Sequence, residues 1–339
     1  MMRQLAALAL IALLAACTSP TVSTGPGAGE PRLLADAVVT VDDVRLPLRH
    51  WLPEGKPKAV ILYIHGFNDY SNALARPAPY LTAHGIAAYA YDQRGFGGAP
   101  YPGRWPGEGP MTADVATVTK LLAARHPGVP LYLMGESMGG AVVMRTMAGP
   151  HPPNVAGVIL VAPAVWSRER MNVFERVGLW IGNHTLPWLA VNGNGLDIWP
   201  SDNIEMLREL GRDPLVIKDS RIDTIDGLVN LMDDAYDSAP KLHGPILMLY
   251  GEHDEIVPSK PTYDVMASFE DRPDIVRAVY PKGYHMLMRD LQAETVMADI
   301  VSWIENPKAP LPSGADQRAV TVLADHHPRP IGQDGKTPG

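Results

Sequence analysis

The sequence predicts an α/β fold: a mostly parallel central sheet flanked by helices, with a helical cap inserted late. Three observations carry that expectation. Short apolar runs alternate with amphipathic stretches across residues 33–306, the pattern of strand–helix units around a parallel sheet. Several runs, such as KAVILYIHGF at 58–67, are continuously apolar, as strands buried on both faces must be. The alternation lapses over about 164–242 and resumes with GPILMLYGEHDEIV, which reads as a cap between two strands and not as a separate domain.

The segment before the body is of another kind. Arg3 and the apolar run at 5–14 have the form of a secretory signal peptide, too short to cross a bilayer core of about 30 Å. The one cysteine, Cys17, ends LLAAC. This stretch resembles the lipobox of bacterial lipoproteins, and residues 1–17 are accordingly expected to be a lipoprotein signal peptide. The resemblance implies a diacylglycerol thioether on Cys17 and a membrane anchor of more than one acyl chain. Residues 18–32 are polar and rich in Pro and Gly, a flexible linker with a root-mean-square span of roughly 20 Å. A lone cysteine in a lipobox leaves neither a disulfide framework nor a cysteine nucleophile.

Along the body, AVVTV and RLPLRHWLP suggest an opening antiparallel pair. Strands follow at 58–67 and 86–95. MTADVATVTKLLAARH is a helix with Thr112 as its expected N-cap. PLYLMGES and VAGVILVAPAV are strands on either side of the helix MGGAVVMRTMAG. The cap region carries Trp166, Trp180, Trp188 and Trp199. Its apolar residues suit either the lining of an acyl-chain tunnel, contact with a bilayer, or packing of the cap on the body. After it come the strand of GPILMLYGEHDEIV, then VRAVYPKGYHML, and a last helix at 291–306. Residues 307–339 are polar and Pro/Gly-rich and are expected to be a disordered tail. His326 and His327 lack a carboxylate or cysteine at ligand spacing and are read as part of that tail, not as a metal site. The chain is 46% hydrophobic and 19% charged, with a net charge of -8. A large core follows, and with no Lys/Arg block nucleic acid is not expected as a partner.

LYLMGESMGGAVV, at 131–143, is a buried strand, a Gly-Ser-Gly corner and a helix start. G-x-S-x-G alone is weak, but between a strand and a helix it fits a nucleophile elbow, with Ser137 as nucleophile. A serine hydroxyl needs a base, and the base an orienting carboxylate. In strand-ending loops further on stand Asp254 and His285, in the order Ser, Asp, His. Glu252 and Glu255 compete with Asp254 for the acid, and His253 with His285 for the base; position after the strand and chain order favour Asp254 and His285. The oxyanion donors are expected to be the backbone N–H groups of Met138, after the nucleophile, and Phe67, after His65-Gly66. His65 is expected to brace that loop.

HGFNDYS, DQRGFGGA, GESMGG, LYGEHDEIV and GYHML together resemble the motifs of the α/β-hydrolase superfamily. The branch they are most similar to is the monoacylglycerol lipase/lysophospholipase group, related to the serine aminopeptidase-like hydrolases. The resemblance spans about residues 35–305. It assigns Ser137, Asp254 and His285 the roles of nucleophile, acid and base, and Phe67 and Met138 those of oxyanion donors. Glu136 replaces the histidine common before the nucleophile, Asn68-Asp69-Tyr70-Ser71 replaces the usual stretch after His-Gly, and Ala99 stands at a customary serine. The resemblance implies carboxylic ester hydrolysis through an acyl-enzyme, on monoacylglycerols or lysophospholipids, with no cofactor or metal. The lipobox resemblance at Cys17 implies a bacterial envelope protein lipid-anchored on the periplasmic side. A peptidase or amidase remains open, with Asp197, Asp202 or Glu205 as partners for a free amino terminus. So do an acyltransferase, a non-catalytic lipid-binding lipoprotein, and the oligomeric state.

Overall fold

The computed structural model describes residues 25, 27, 29–193, 195, 197–328 and 331. The signal-peptide and lipobox reading, Cys17 included, lies outside the described residues, as do the end of the chain and most of the linker.

Nine strands form one sheet in the order β1-β2-β3-β5-β4-β6-β7-β10-β11. They are β1 (Arg32–Leu33), β2 (Ala37–Val39), β3 (Arg45–Trp51), β4 (Ala59–Ile64), β5 (Ile86–Tyr91), β6 (Leu131–Glu136), β7 (Gly157–Val161), β10 (Ile246–Gly251) and β11 (Ile275–Tyr280). Strands β1 to β3 are antiparallel at one edge; β5, β4, β6, β7, β10 and β11 run parallel. The apolar runs have a physical cause in this arrangement. Along β4, Val60, Leu62 and Ile64 enter one core while Ile61 and Tyr63 enter the other, the two-residue alternation of a strand covered on both faces. One core is closed by α2 (Glu108–Arg125), α3 (Met138–Met147) and α6 (Ile222–Ser238). The other is closed by α1 (Ala78–Ala83) and α8 (Ala293–Glu305).

The insertion between β7 and β10 holds α4 (Val173–Thr185), α5 (Ile204–Arg212) and α6, with two two-residue strands, β8 (Ala190–Val191) and β9 (Ser220–Arg221), paired antiparallel. Helix α4 starts on a capping box: Asn172 Oδ1 accepts from Phe174 and Glu175 N–H, and Glu175 Oε2 accepts from Asn172 N–H, satisfying donors the helix itself leaves open. The cap is smaller than the 164–242 expected. Helix α6 places Val229, Leu231, Met232, Ala235 and Tyr236 in the body core, and Asp234 pairs with Arg145 of α3. It is a body helix that the cap leads into.

Three further expectations are corrected. Helix α2 begins at Glu108, not after Thr112, whose hydroxyl donates to Gly109 O inside the helix. Pro110 sits in the first turn, where a missing N–H costs no helical bond. The linker is tied down before residue 32: Gly29 N–H donates to Val41 O, and Arg32 is already in β1. Nor is the segment after 307 a disordered tail throughout. Helix α9 (Ala315–Ala324) follows a turn in which Leu311 and Ala315 are buried in the core, Ser313 donates to buried Asp299, and His326 pairs with Asp264 at 2.9 Å. A few small apolar side chains suffice to dock it, so its polar composition was misleading.

Candidate active site

Because β4, β6, β10 and β11 are parallel, the loops after them gather at one edge of the sheet, the C-terminal edge where open α/β sheets bind ligands. Four of the expected site residues stand at these strand ends: Phe67 after β4, Ser137 after β6, Asp254 after β10 and His285 after β11.

Ser137 joins β6 to α3 with φ 54° and ψ -120°, a conformation that costs a non-glycine residue about 1–3 kcal/mol. Surrounding backbone contacts hold it there. Ser137 N–H donates to Val161 O at 3.0 Å, and Ser137 O accepts from Ala141 and Ala164 N–H. The corner is too tight for side chains next to it. A Cβ on Gly139 would lie 2.0 Å from Ile64 O, and one on Gly135 would lie 2.4 Å from Gly139 O. Every residue of β6 is buried, whereas Ser137 is partly exposed. The turn lifts this hydroxyl out of the core.

Asp254 and His285 meet. His285 Nδ1 lies 2.7 Å from Asp254 Oδ2, with both side chains nearly shielded from solvent. Asp254 Oδ1 accepts from Ile256 and Val257 N–H at 2.8 and 2.9 Å, so the carboxylate is fixed before it orients the ring. The loops approach through Gly251 and Gly283, where a Cβ on Gly251 would fall 2.4 Å from Gly283 backbone. Burial lowers the pKa of His285, but the charge and hydrogen bond of Asp254, with a contribution from Glu136, outweigh it and leave the ring more basic than ordinary histidine. The competing residues are engaged elsewhere: Glu252 with Arg318, Glu255 with Trp199 N–H, and His253 against the Tyr284 ring. Among the described residues no hydrogen bond links Ser137 Oγ to His285. Nucleophile–base contacts are often long without substrate and tighten when it binds.

The loop after β4 is braced as expected. His65 Nε2 accepts from Gln93 N–H at 3.0 Å, which leaves Nδ1 to donate to Gly66 O at 2.8 Å. Burial lowers the pKa of His65, in keeping with a neutral ring. Gly66 packs on the Ser137 side chain: a Cβ there would sit 3.3 Å from Ser137 Cβ. Phe67 rests edge-on against Phe96. Next to it Asn68 adopts φ 64°, donates Nδ2 to Ser220 Oγ at 2.7 Å and accepts Ile217 N–H at 2.9 Å. The loop of Phe67 is thus bonded to the cap. Met138 is the first residue of α3, so its N–H has no partner within the helix.

Two features were not read from the sequence. One is a buried ionic group: Arg289 Nη1 donates to Asp69 Oδ2 at 2.7 Å and Nη2 to Glu136 Oε2 at 3.1 Å, and the Tyr63 hydroxyl also donates to Glu136. Glu136 and Asp69 stood out as departures from family motifs, but their common partner, 153 and 220 residues away, carried no motif. The other is a row of bonds from the cap to the acid and base loops. Trp199 N–H donates to Glu255 at 2.6 Å, Ser201 Oγ to Asp290 at 2.6 Å, and Asn203 Nδ2 to Arg289 O at 3.0 Å. Met286 N–H donates to Pro200 O and Leu291 N–H to Asp202. An open cleft of about 250 Å³ beside the site is lined by Phe67, Pro200, Leu207, Val216, Lys218 and Met286 among others.

Of the cap's apolar residues, Trp166 and Leu179 pack on the body core. Val173, Phe174, Val177, Trp180 and Ile181 recur at helical spacing on α4 and face solvent, Phe174 being 84% and Trp180 61% exposed.

Comparison with known proteins agrees with this architecture. The chain is 27% identical over 284 residues to monoglyceride lipase of Homo sapiens, covering 80% of this chain and 90% of that protein. It is 28% identical over 272 residues to monoacylglycerol lipase of Mycolicibacterium smegmatis, covering 78% and 94%. Among solved structures, a soluble variant of the Saccharomyces cerevisiae monoglyceride lipase with a substrate analogue superposes with a TM-score of 0.67 at 20% identity, over 85% of this chain and 97% of that one. The Paleococcus ferrophilus monoacylglycerol lipase gives 0.64 at 22%, over 76% and 98%. These likenesses establish the α/β-hydrolase fold. Residues 55–292 match the family described as serine aminopeptidase, S33, and the chain belongs to that hydrolase family.

Proposed function

We propose that this protein is a serine carboxylic ester hydrolase that cleaves monoacylglycerols, and on the same chemistry lysophospholipids, through an acyl-enzyme. The observation that carries the reading is the shielded Asp254–His285 pair at 2.7 Å, on the sheet edge that also presents the strained Ser137. Ser137 Oγ attacks the ester carbonyl while His285 Nε2 takes its proton. The N–H groups of Phe67 and Met138 hold the resulting oxyanion. The intermediate collapses, His285 protonates the departing alkoxide, and the acyl group stays on Ser137. His285 then deprotonates a water, which attacks the acyl carbonyl; as the bond to Ser137 Oγ breaks, His285 returns the proton to that oxygen and the fatty acid leaves. Each proton taken is returned, so no redox or metal step is required.

Monoglyceride lipases among the relatives, matched over most of their length, and the apolar lining of the cleft beside Phe67 support a long-chain ester. Two cap carboxylates suited to a free amino terminus are otherwise engaged: Asp197 accepts from Trp199 Nε1 and Asp202 from Leu291 N–H. We also infer a lipid anchor at Cys17 on the periplasmic side of a bacterial envelope. The lipobox-like LLAAC supports it, as does the solvent-facing apolar stripe of α4, which suits contact with a lipid surface.

The test is hydrolysis of a monoacylglycerol, a lysophospholipid, a short-chain ester and an aminoacyl amide by the wild type and Ser137→Ala. Release of fatty acid from the long-chain esters, lost in Ser137→Ala, is expected. Turnover of the amide alone would transfer the protein to the peptidases. Mass spectrometry of the mature N-terminus, beside Cys17→Ser, reads the anchor: an acylated cysteine is expected, and a free thiol rules it out.

A further inference from the structure

Glu136 at the end of β6, and Asp69 and Arg289 on two loops, come from three separate parts of the site. Glu136 immediately precedes Ser137, Asp69 closely follows Phe67, and Arg289 shortly follows His285. All three are withdrawn from water, with exposures of 1%, 6% and 5%. One guanidinium bridges both carboxylates, at 2.7 Å to Asp69 and 3.1 Å to Glu136. Burying such a group is a poor way to gain stability, because desolvation offsets most of the attraction. The network is also incompletely bonded: Glu136 Oε1 and Arg289 Nε have no hydrogen-bond partner among the described residues. A half-satisfied buried network is worse for stability than an apolar one, and local rules are broken in this way chiefly at functional sites.

We propose that Glu136, Arg289 and Asp69 form a charge clamp that sets the relative positions of the nucleophile elbow, the oxyanion loop and the base loop, so that Glu136 and Arg289 are positioning residues for acyl transfer. This rests on the ester-hydrolase reading of the same site. Directional ion pairs suit the task because a displacement of about 1 Å between reacting groups can cost on the order of a hundredfold in rate. The clamp also sets the field on the base. His285 is faced by Asp254 from the loop after β10, by Glu136 from the elbow and by Arg289 from its own loop. Asp69 lies behind Arg289, and Asp290 is held by Ser201 and Tyr284 N–H. Glu136 favours the imidazolium and Arg289 opposes it.

The test uses the full chain as wild type, Ser137→Ala, Glu136→Gln, Arg289→Met and Arg289→Lys. It measures kcat, KM and the pH profile on 4-nitrophenyl butyrate, fluorophosphonate labelling of Ser137, and thermal melting. Glu136→Gln is expected to lower kcat at least tenfold with KM within about twofold, and to move the acid limb of kcat/KM to lower pH. Arg289→Met is expected to lower kcat similarly and move the limb to higher pH. Arg289→Lys, which keeps the charge, is expected to leave the limb in place and recover part of kcat. Opposite shifts of the two limbs are something a purely structural role would not produce. An active wild type whose Glu136→Gln variant keeps both kcat and acid limb overturns the clamp, and it does so even where Arg289→Met fails to fold. A wild type with neither turnover nor Ser137 labelling removes the ester-hydrolase reading, and the clamp with it.

Discussion

Asp254 Oδ2 stands 2.7 Å from His285 Nδ1, and the carboxylate is held by two backbone N–H groups on its other oxygen. The hydrogen on Nδ1 is thereby fixed, and Nε2 is left free to act as base. Asp254→Asn offers a donor where an acceptor is needed and favours the wrong tautomer. Turnover is expected to fall by about 10³–10⁴-fold with the fold intact, by analogy with the same exchange in a serine protease triad. The wild-type His285 is more basic than ordinary histidine, so the acid limb of its rate profile should lie above that of an unperturbed imidazole. Without the Asp254 charge it should fall, because the burial that remains disfavours the imidazolium. A profile of kcat/KM against pH for both proteins reads the two effects together.

Asn68 joins the oxyanion loop to the cap through its carbonyl and its side-chain amide. Ser220→Ala removes one of these bonds without entering the site and leaves the Asn68 amide short of an acceptor. We expect a loss of about 1 kcal/mol in stability and a several-fold fall in kcat, with little change in KM for a short ester. Urea melts and steady-state kinetics on the same preparation measure both. An unchanged kcat would mean that Phe67 keeps its place without the cap.

Residues 311–326 are part of the folded body. A chain ended at residue 310 loses the burial of Leu311, Ala315 and Ala319 and leaves Asp299 without its bonds to Ser313. Burial of the leucine contributes about 1.5–3 kcal/mol and each alanine methyl roughly 0.8 kcal/mol, so a clear drop in the urea midpoint is expected. An unaltered midpoint would return the segment to the status of a tail.

Much of the site was legible because chemistry stands where pattern stops. The runs before Ser137, Asp254 and His285 are apolar enough to be strands, and each residue follows directly, so parallel topology alone collects them at one edge. Ser137's strained turn was legible through Gly135 and Gly139, whose neighbours leave no space for a Cβ. The Arg289 group was illegible for the opposite reason. A lone arginine reads as surface, and only the folded chain reveals that three distant loops enclose it. Helix α9 was illegible because it docks through alanines, a faint apolar signal in a Pro- and Gly-rich stretch. The start of α2 was missed because Gly109 and Pro110 look like a loop, yet in a first turn they cost little.

The bonds from residues 199–203 to the loops of Asp254 and His285 have a consequence for how substrate enters. That end of the cap works as a doorpost. Lifting it would pull on Glu255, next to the acid, and on Met286, next to the base, and would dismantle the machinery it uncovers. Helix α4 is held differently, by Asn183 to Asp226 and by Leu179 on the body core, while Phe174 and Trp180 stay exposed. That end of the cap and the loops of Asp254 and His285 therefore hold together as one unit.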